Sequence, residues 1–273
     1  MLELPESHVF SAQLNGVLTG KTIVSCTANS TPHGFAFFAG DPALYPMMLD
    51  GRLVNSVSAS GGLIEFDLGE LALTLGDGVT PKYFRAGEKL PAKHQLLLMF
   101  DDGASIACTI QMYGGMYAFV KSEYKNFYYL VTKEKPSPLT NTFDRAYFEA
   151  LLSSNKQTLS VKAFLATEQR IPGLGNGVLQ DILFYARLRP KTKLTTLSSA
   201  QKDELFASIK TTLLNMTEQG GRDTERDVFG VPGGYKTTLS NKTWQYQCPR
   251  CGGTIVREAY LGGNVYYCAG CQE

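Results

Sequence analysis

Four of the six cysteines lie near the end of the chain as Cys248, Cys251, Cys268 and Cys271, in the spacing C-x2-C-x16-C-x2-C, and no other feature restricts the fold so tightly. Each CxxC turn can offer two thiolates to one tetrahedral ion, and the segment between the pairs must then return as a hairpin. Ile255 to Tyr260 and Gly263 to Tyr267 read as the two strands, and Gly252 and Gly253 suit the tight turn after the first pair. Four unrelated cysteines, or a redox pair, match this spacing less well. So short a module buries little apolar surface, so a single structural Zn2+ is expected to supply much of its folding free energy. Cys26 and Cys108 stand singly in apolar stretches and read as inert core thiols.

With 273 residues and 44% hydrophobic content, the chain is long enough for one or two domains, each with its own core. No apolar run approaches the roughly twenty residues of a membrane helix, and the opening MLELPESHVF has neither the basic nor the apolar region of a signal peptide. No membrane partner is therefore expected, and a cytoplasmic, nucleoid-associated location follows. The paired cysteines are accordingly read as metal ligands rather than disulfides. A net charge of +1 argues against a nonspecific polycation but hides an asymmetry. Residues 151–273 carry 15 Lys and Arg against 10 Asp and Glu, and the rest carries 11 against 15. The second half can neutralise phosphates, although solvated charge with no ligand accounts for the same count.

The patterning predicts an α+β chain. Glu6 to Leu18 reads as a helix, with Val9, Leu14, Val17 and Leu18 on one face. Short apolar runs follow at Thr22 to Cys26, Leu63 to Phe66, Leu71 to Leu75, Gln95 to Phe100 and Ser105 to Ile110, separated by turn residues, which indicates a β-sandwich or flattened barrel. The stretch KEKPSPLTNT breaks both periodicities. Apolar residues at three and four spacing then mark helices over Asp144 to Leu152, Val161 to Thr167, Gly177 to Ala186 and Ser199 to Met216, before a Gly-rich loop over 220–245. The expected organisation is an N-terminal β-sandwich domain at 1–132, a linker at 133–143, a helical domain at 144–245 and the four-cysteine ribbon at 246–273.

Between two of these helices the chain reads TEQRIPGLGNGVLQDILFYARLRP, from Thr167 to Pro190. Glycines such as Gly175 let backbone approach a ligand, and a helix start offers N–H groups to an anion, so a phosphate is the natural guest. Asn176 could cap the following helix or hydrogen-bond that phosphate. Arg170, Arg187, Arg189, Lys191 and Lys193 add positive charge around it.

The run from Ile171 to Pro190 resembles the helix-two-turn-helix signature of the formamidopyrimidine-DNA glycosylase and endonuclease VIII family, and the ribbon lies where that family has its zinc finger. Further matches occur in order at ELPE (Glu3 to Glu6), PAKH (Pro91 to His94), DDG (Asp101 to Gly103), KPSPL (Lys135 to Leu139) and EQGG (Glu218 to Gly221). The resemblance implies a two-domain clamp on damaged double-stranded DNA, acting as a monomer, with phosphates held by Lys162 and Asn176 and a damaged nucleotide flipped out of the stack. It also implies chemistry at the start of the chain. In the family an N-terminal proline amine attacks the sugar C1′, and the following glutamate, here Glu3, handles proton transfer.

The sequence departs from that pattern at several positions. Leu2 occupies the place of the proline, and its bulk is expected to keep Met1 on the chain. A Met1 α-amine would have an ordinary pKa of roughly 7.7 to 8.0 and could attack, yet it would stand about 3.8 Å from the family position. Gly61-Gly62 replaces a Gly-Lys, so the hairpin lysine is absent. Asp77 aligns with the intercalating wedge, Met112, Tyr113 and Gly114 with the residues that fill the void, and Gly263 with the zinc-hairpin arginine. Lys82, near the place of a family arginine, is expected to touch phosphate.

Glu3 and Glu6 are retained, and a carboxylate can activate water for N-glycosidic hydrolysis. A purely structural role, with Glu3 and Pro5 shaping a helix entrance, stands beside that one. The expected function is thus a base-excision-repair DNA glycosylase, its lyase step undercut by Leu2 and Gly62. The alternatives are a noncatalytic binder of damaged or abasic DNA, and an RNA binder acting through the ribbon, which has no aromatic or basic motif of its own behind it.

Overall fold

The computed structural model describes residues 2–110, 112–156 and 158–273, which form two compact units. The first comprises Met1–Lys133 with Glu225–Pro232, and the second Glu134–Thr224 with Gly233–Glu273.

Unit 1 opens with α1 (Leu4–Leu18). Pro5 in the first turn costs no hydrogen bond, Glu6 complements the positive end of the helix dipole, and Gly20 at φ +84° lets the chain leave. The buried face runs through Leu4, Ser7, Phe10, Ser11, Leu14 and Leu18, while Val9 and Val17 are only partly covered. There follow β1 (Ile23–Ala28), β2 (Ala36–Phe38), α2 (Tyr45–Leu49), β3 (Ser56–Ser60), β4 (Leu63–Leu68), β5 (Leu71–Gly76), β6 (Val79–Phe84), β7 (Leu96–Phe100), β8 (Ser105–Ile110), β9 (Gly114–Val120) and α3 (Phe127–Glu134).

The strands build two sheets, ordered β1-β7-β8-β6 and β2-β9-β5-β4-β3, antiparallel except where β2 runs parallel to β9. One apolar core includes Leu14 and Leu18 of α1, Ile64, Phe66 and Leu73 of the larger sheet, and Leu96, Leu98 and Ile106 of the smaller. Cys26 and Cys108 are both buried, and burial pushes the Cys26 thiol up to about 12 and Cys108 higher still, as inert core thiols require.

Residues 225–232, grouped by sequence with the helical domain, pack into unit 1 instead. Val228 is fully buried in its core, and the Val228 carbonyl accepts the Tyr83 N–H at 2.8 Å on the open edge of β6. That pairing covers a sheet edge that would otherwise be exposed.

Unit 2 contains α4 (Arg145–Ser153), α5 (Val161–Ala166), α6 (Leu179–Tyr185) and α7 (Ser199–Glu218), then the hairpin β10 (Ile255–Tyr260) and β11 (Gly263–Cys268). Helix starts follow side-chain caps: Asp144 for α4, Ser160 for α5, and a capping box of Ser198 and Gln201 for α7. The expected linker at 133–143 is packed chain. Lys133 and Glu134 end α3, Phe143 is fully buried, and the Lys210 ammonium donates to the carbonyls of Pro138, Thr140 and Phe143. The ribbon belongs to the same unit as the helices, with Phe184 and Leu239 packing against Ile255 and Tyr266.

Candidate functional site

At the head of α1, Leu2 and Glu3 are drawn under the turn between β5 and β6. The Leu2 N–H donates to the Asp77 carbonyl at 2.9 Å, and the Leu2 side chain joins the core. Met1 and Gln111 lie outside the described residues. Glu3 occupies the N-cap position in extended geometry, and Glu3 and Glu6 are 3% and 1% exposed. Ionisable groups so deeply buried need specific polar company. Glu3 and Asp77 both act on Tyr113, whose phenol is pushed up by burial first and then by the charges of Asp77 and Glu3, in that order. Asp77 is exposed on the turn, and the protein packed against its carboxyl raises it above the usual range by desolvation.

Glycine makes this convergence possible. A Cβ on Gly78 would collide with the Tyr113 carbonyl, and one on Gly114 would meet Ile110 and Val79, so the β5–β6 turn and the segment entering β9 approach as closely as bare backbone allows. The Ser7 hydroxyl donates at 2.6 Å to the Gly61 carbonyl, holding the Gly61-Gly62 turn against the first turn of α1. Met112 is 69% exposed beside this cluster. Lys82 is exposed on β6 and lines a separate pocket.

In unit 2 the Gly175–Asn176 loop, Lys162 and the ribbon hairpin meet. The Asn176 amide donates to the Asn264 carbonyl at 3.0 Å, and α6 begins after it with Val178 as N-cap and no capping side chain. Asn176 is therefore no cap: its donor holds the hairpin, and its Oδ1 is buried with no hydrogen-bond partner. Lys162, expected on a phosphate, is buried, and its ammonium donates to the Tyr260 carbonyl, with desolvation lowering its pKa. Two donors thus grip the hairpin on either side of its turn.

Sequence reasoning missed the centre of this network, Gln180. Its amide donates to the carbonyls of Asn176 at 2.8 Å and Asn264 at 3.2 Å, and its oxygen accepts the Tyr266 N–H at 3.0 Å. Its neighbour Asp181 accepts from the Tyr235 hydroxyl and the N–H groups of Thr238 and Leu239 at 2.7–3.0 Å, and burial pushes its carboxyl up to about 6. Gln-Asp within the apolar run LQDILF was the available signal, because polar residues on the buried face of a helix must find partners.

Cys248, Cys251, Cys268 and Cys271 converge with their sulfurs within 4.8 Å of one another, Cys248 to Cys271 at 3.8 Å and Cys251 to Cys268 at 3.5 Å. Thiolates ~2.3 Å from a tetrahedral ion stand ~3.8 Å apart, so the four can hold a metal ion. Gly253 keeps the cradle open, since a Cβ there would lie 3.3 Å from the Cys251 sulfur.

A β-sandwich with a buried glutamate at its first helix, followed by helices that carry a four-thiolate ribbon, defines a two-unit protein of the helix-two-turn-helix type. Residues 135–227 match the formamidopyrimidine-DNA glycosylase H2TH domain. The whole chain is 27% identical to a formamidopyrimidine-DNA glycosylase of Streptococcus pyogenes serotype M6, covering 99% of it, and 27% identical to one of Streptococcus thermophilus, covering all of it. In fold it resembles the MutM (Fpg) protein of Thermus thermophilus, with a TM-score of 0.82 at 22% identity, over 99% of this chain and 98% of that one. A complex of Lactococcus lactis Fpg with abasic-site DNA gives 0.83 at 23% identity over 99% of each chain. Residues 135–227 thus carry the H2TH domain of formamidopyrimidine-DNA glycosylases, and the chain is similar to such proteins in sequence and in fold along its whole length.

Proposed function

We propose that this protein is a base-excision-repair DNA glycosylase that binds damaged duplex DNA as a monomer in the cytoplasm, on the nucleoid, and hydrolyses the N-glycosidic bond of a flipped base with Glu3 as general base. Relatives named formamidopyrimidine-DNA glycosylase along the full chain support the class, as do Lactococcus lactis Fpg complexes with abasic-site and FAPY-dG DNA. The carrying observation for the chemistry is the Leu2 amide bound to the Asp77 carbonyl, with Glu3 buried beside it. The Leu2 nitrogen is an amide and no nucleophile, and the base we assign is the Glu3 carboxylate beside it. Glu3 takes a proton from water as its oxygen bonds to C1′, and the C1′–N bond breaks with its electron pair leaving on the base. Among the described residues no helix is long and apolar enough to cross a membrane.

For Lys162 and Asn176 we favour bracing of the hairpin over direct phosphate contact, which leaves the Gly175 backbone, Lys82, Met112 and Tyr113 as the DNA-facing groups. Zn2+ is the ion assigned to the ribbon, since four thiolates with no open position suit a structural zinc.

Incubation with duplexes bearing oxidised, alkylated or deaminated bases should release a base, and Glu3→Gln should lower the rate by about a hundredfold or more. Equal rates in the variant would remove Glu3 from the mechanism, and a borohydride-trapped adduct would assign attack to an amine instead. The engaged Leu2 amide also favours a second reading, a noncatalytic reader of damaged DNA. It prevails if no lesion is processed while abasic duplex binds well above intact duplex.

A further inference from the structure

Apart from the Glu3 cluster, the end of β6 and the turn after it form a pocket of about 550 Å³, within the size range of small-ligand sites. Phe229 supplies one wall. Its ring is 46% exposed and meets the Tyr83 ring edge-on, with centroids 5.8 Å apart and planes at 81°. The segment presenting it is fastened, not loose. Val228 is buried in the core, the Gln13 amide donates to the Asp227 carboxylate at 2.7 Å, and the other carboxylate oxygen accepts the N–H groups of Phe229 at 3.0 Å and Val231 at 2.8 Å. An aromatic side chain is thus held out to solvent on a fixed turn.

Facing it are three cations, Lys82, Arg85 and Lys89. Lys82 lies over the Phe84 ring at 5.2 Å, and among the described residues no carboxylate pairs with any of the three. Glu88, the acid in the lining, spends its carboxylate on the Arg85 N–H at 2.9 Å to close the turn. A fixed exposed ring beside unpaired cations matches a ligand with a planar face and a phosphate.

We propose that this pocket binds a nucleotide, its base stacked on Phe229 and its phosphate among Lys82, Arg85 and Lys89. The nucleotide is either one residue of an unpaired DNA strand or a free mononucleotide. The site goes beyond the repair reading and shares only Lys82 with it, and the variants that test it, at Arg85, Lys89 and Phe229, lie outside that reading, so each can fail without the other.

Fluorescence anisotropy of the full-length protein with a labelled single-stranded dT oligonucleotide of about eight residues tests it, with dTMP as competitor. Arg85→Ala/Lys89→Ala should weaken binding about tenfold and flatten the log–log salt slope by about 1.4, two phosphate contacts at about 0.7 each. Phe229→Ala should weaken it about tenfold and Phe229→Trp restore it, with thermal melting confirming that all variants fold. Displacement by dTMP near about 1 mM or below assigns a free nucleotide, and binding of the oligonucleotide alone assigns a strand. The proposal is overturned if both the charge and the ring variants, folded, bind as the wild type does, or if the wild type binds neither probe.

Discussion

Gln180→Leu tests whether the ribbon is docked on the helices by polar bonds or only by apolar contact. Leucine matches glutamine closely in volume and helix propensity, so the change removes hydrogen bonds and little else. It leaves the N–H of Tyr266, a residue 6% exposed, and the Asn176 carbonyl without their partners, while the Asn264 carbonyl keeps the Asn176 amide. Two orphaned groups at about 1–3 kcal/mol each, less about 1 kcal/mol gained from burying an apolar side chain, give a loss of about 1–5 kcal/mol. Trp244, the single tryptophan, packs against the ribbon cluster with the Arg257 guanidinium 5.3 Å from its ring centre, so its emission reports ribbon docking directly. Urea unfolding followed by Trp244 emission and by circular dichroism should show the loss on both signals. A Leu variant within about 0.5 kcal/mol of the wild type, with unchanged emission, would refute the docking role.

Metal content and pH give two more tests. One ion per chain should be found by elemental analysis, and stripping it with a chelator should shift Trp244 emission while the β-sheet dichroism of unit 1 persists; unchanged emission in metal-free protein would mean that the thiolate cluster is not structural. The raised carboxyl of Asp181 sets a pH window. Its folded pKa of about 6 exceeds the unfolded value of about 3.9, so between these pH values the unfolded chain binds fewer protons and stability falls as pH rises. The loss approaches about 3 kcal/mol by neutrality, and Asp181→Asn should abolish the slope between pH 4 and pH 6, whatever constant offset it introduces. A variant that keeps the wild-type slope would show that another group carries it.

The ribbon was legible almost residue for residue because metal spacing is a local code: Ile255–Tyr260 is a strand as read, and the second strand runs one residue further, to Cys268. The strands of the sandwich were legible where apolar runs are dense, as in Ser105–Ile110. Three strands carry weaker signals. β3 reads SVSAS, β6 holds a proline, and β9 opens on two glycines, of which Gly114 is needed for close approach to Val79 at the start of β6. Phe229 was invisible for another reason. A Gly-rich stretch predicts a loop, and nothing local tells that its partner strand lies far upstream at Tyr83.

The least legible features of the sequence are its buried polar groups. The resemblance implies Lys162 and Asn176 as phosphate contacts, and in the structure each also donates to a carbonyl of the hairpin, a long-range pairing that no local pattern encodes. Burying such groups is costly unless each finds a partner, so their positions mark where the fold is held in one specific arrangement. The start of the chain buries polar groups too. Leu2 has been absorbed into the core, which fixes its neighbour Glu3, an acid kept from solvent beside Asp77 and Tyr113. A helix entrance alone would be served as well by an exposed Ser or Asp, whose short side chain could cap α1, whereas Glu3 makes no capping bond to it. Its burial is what the proposed general base requires, a carboxylate held in one place by the protein around it.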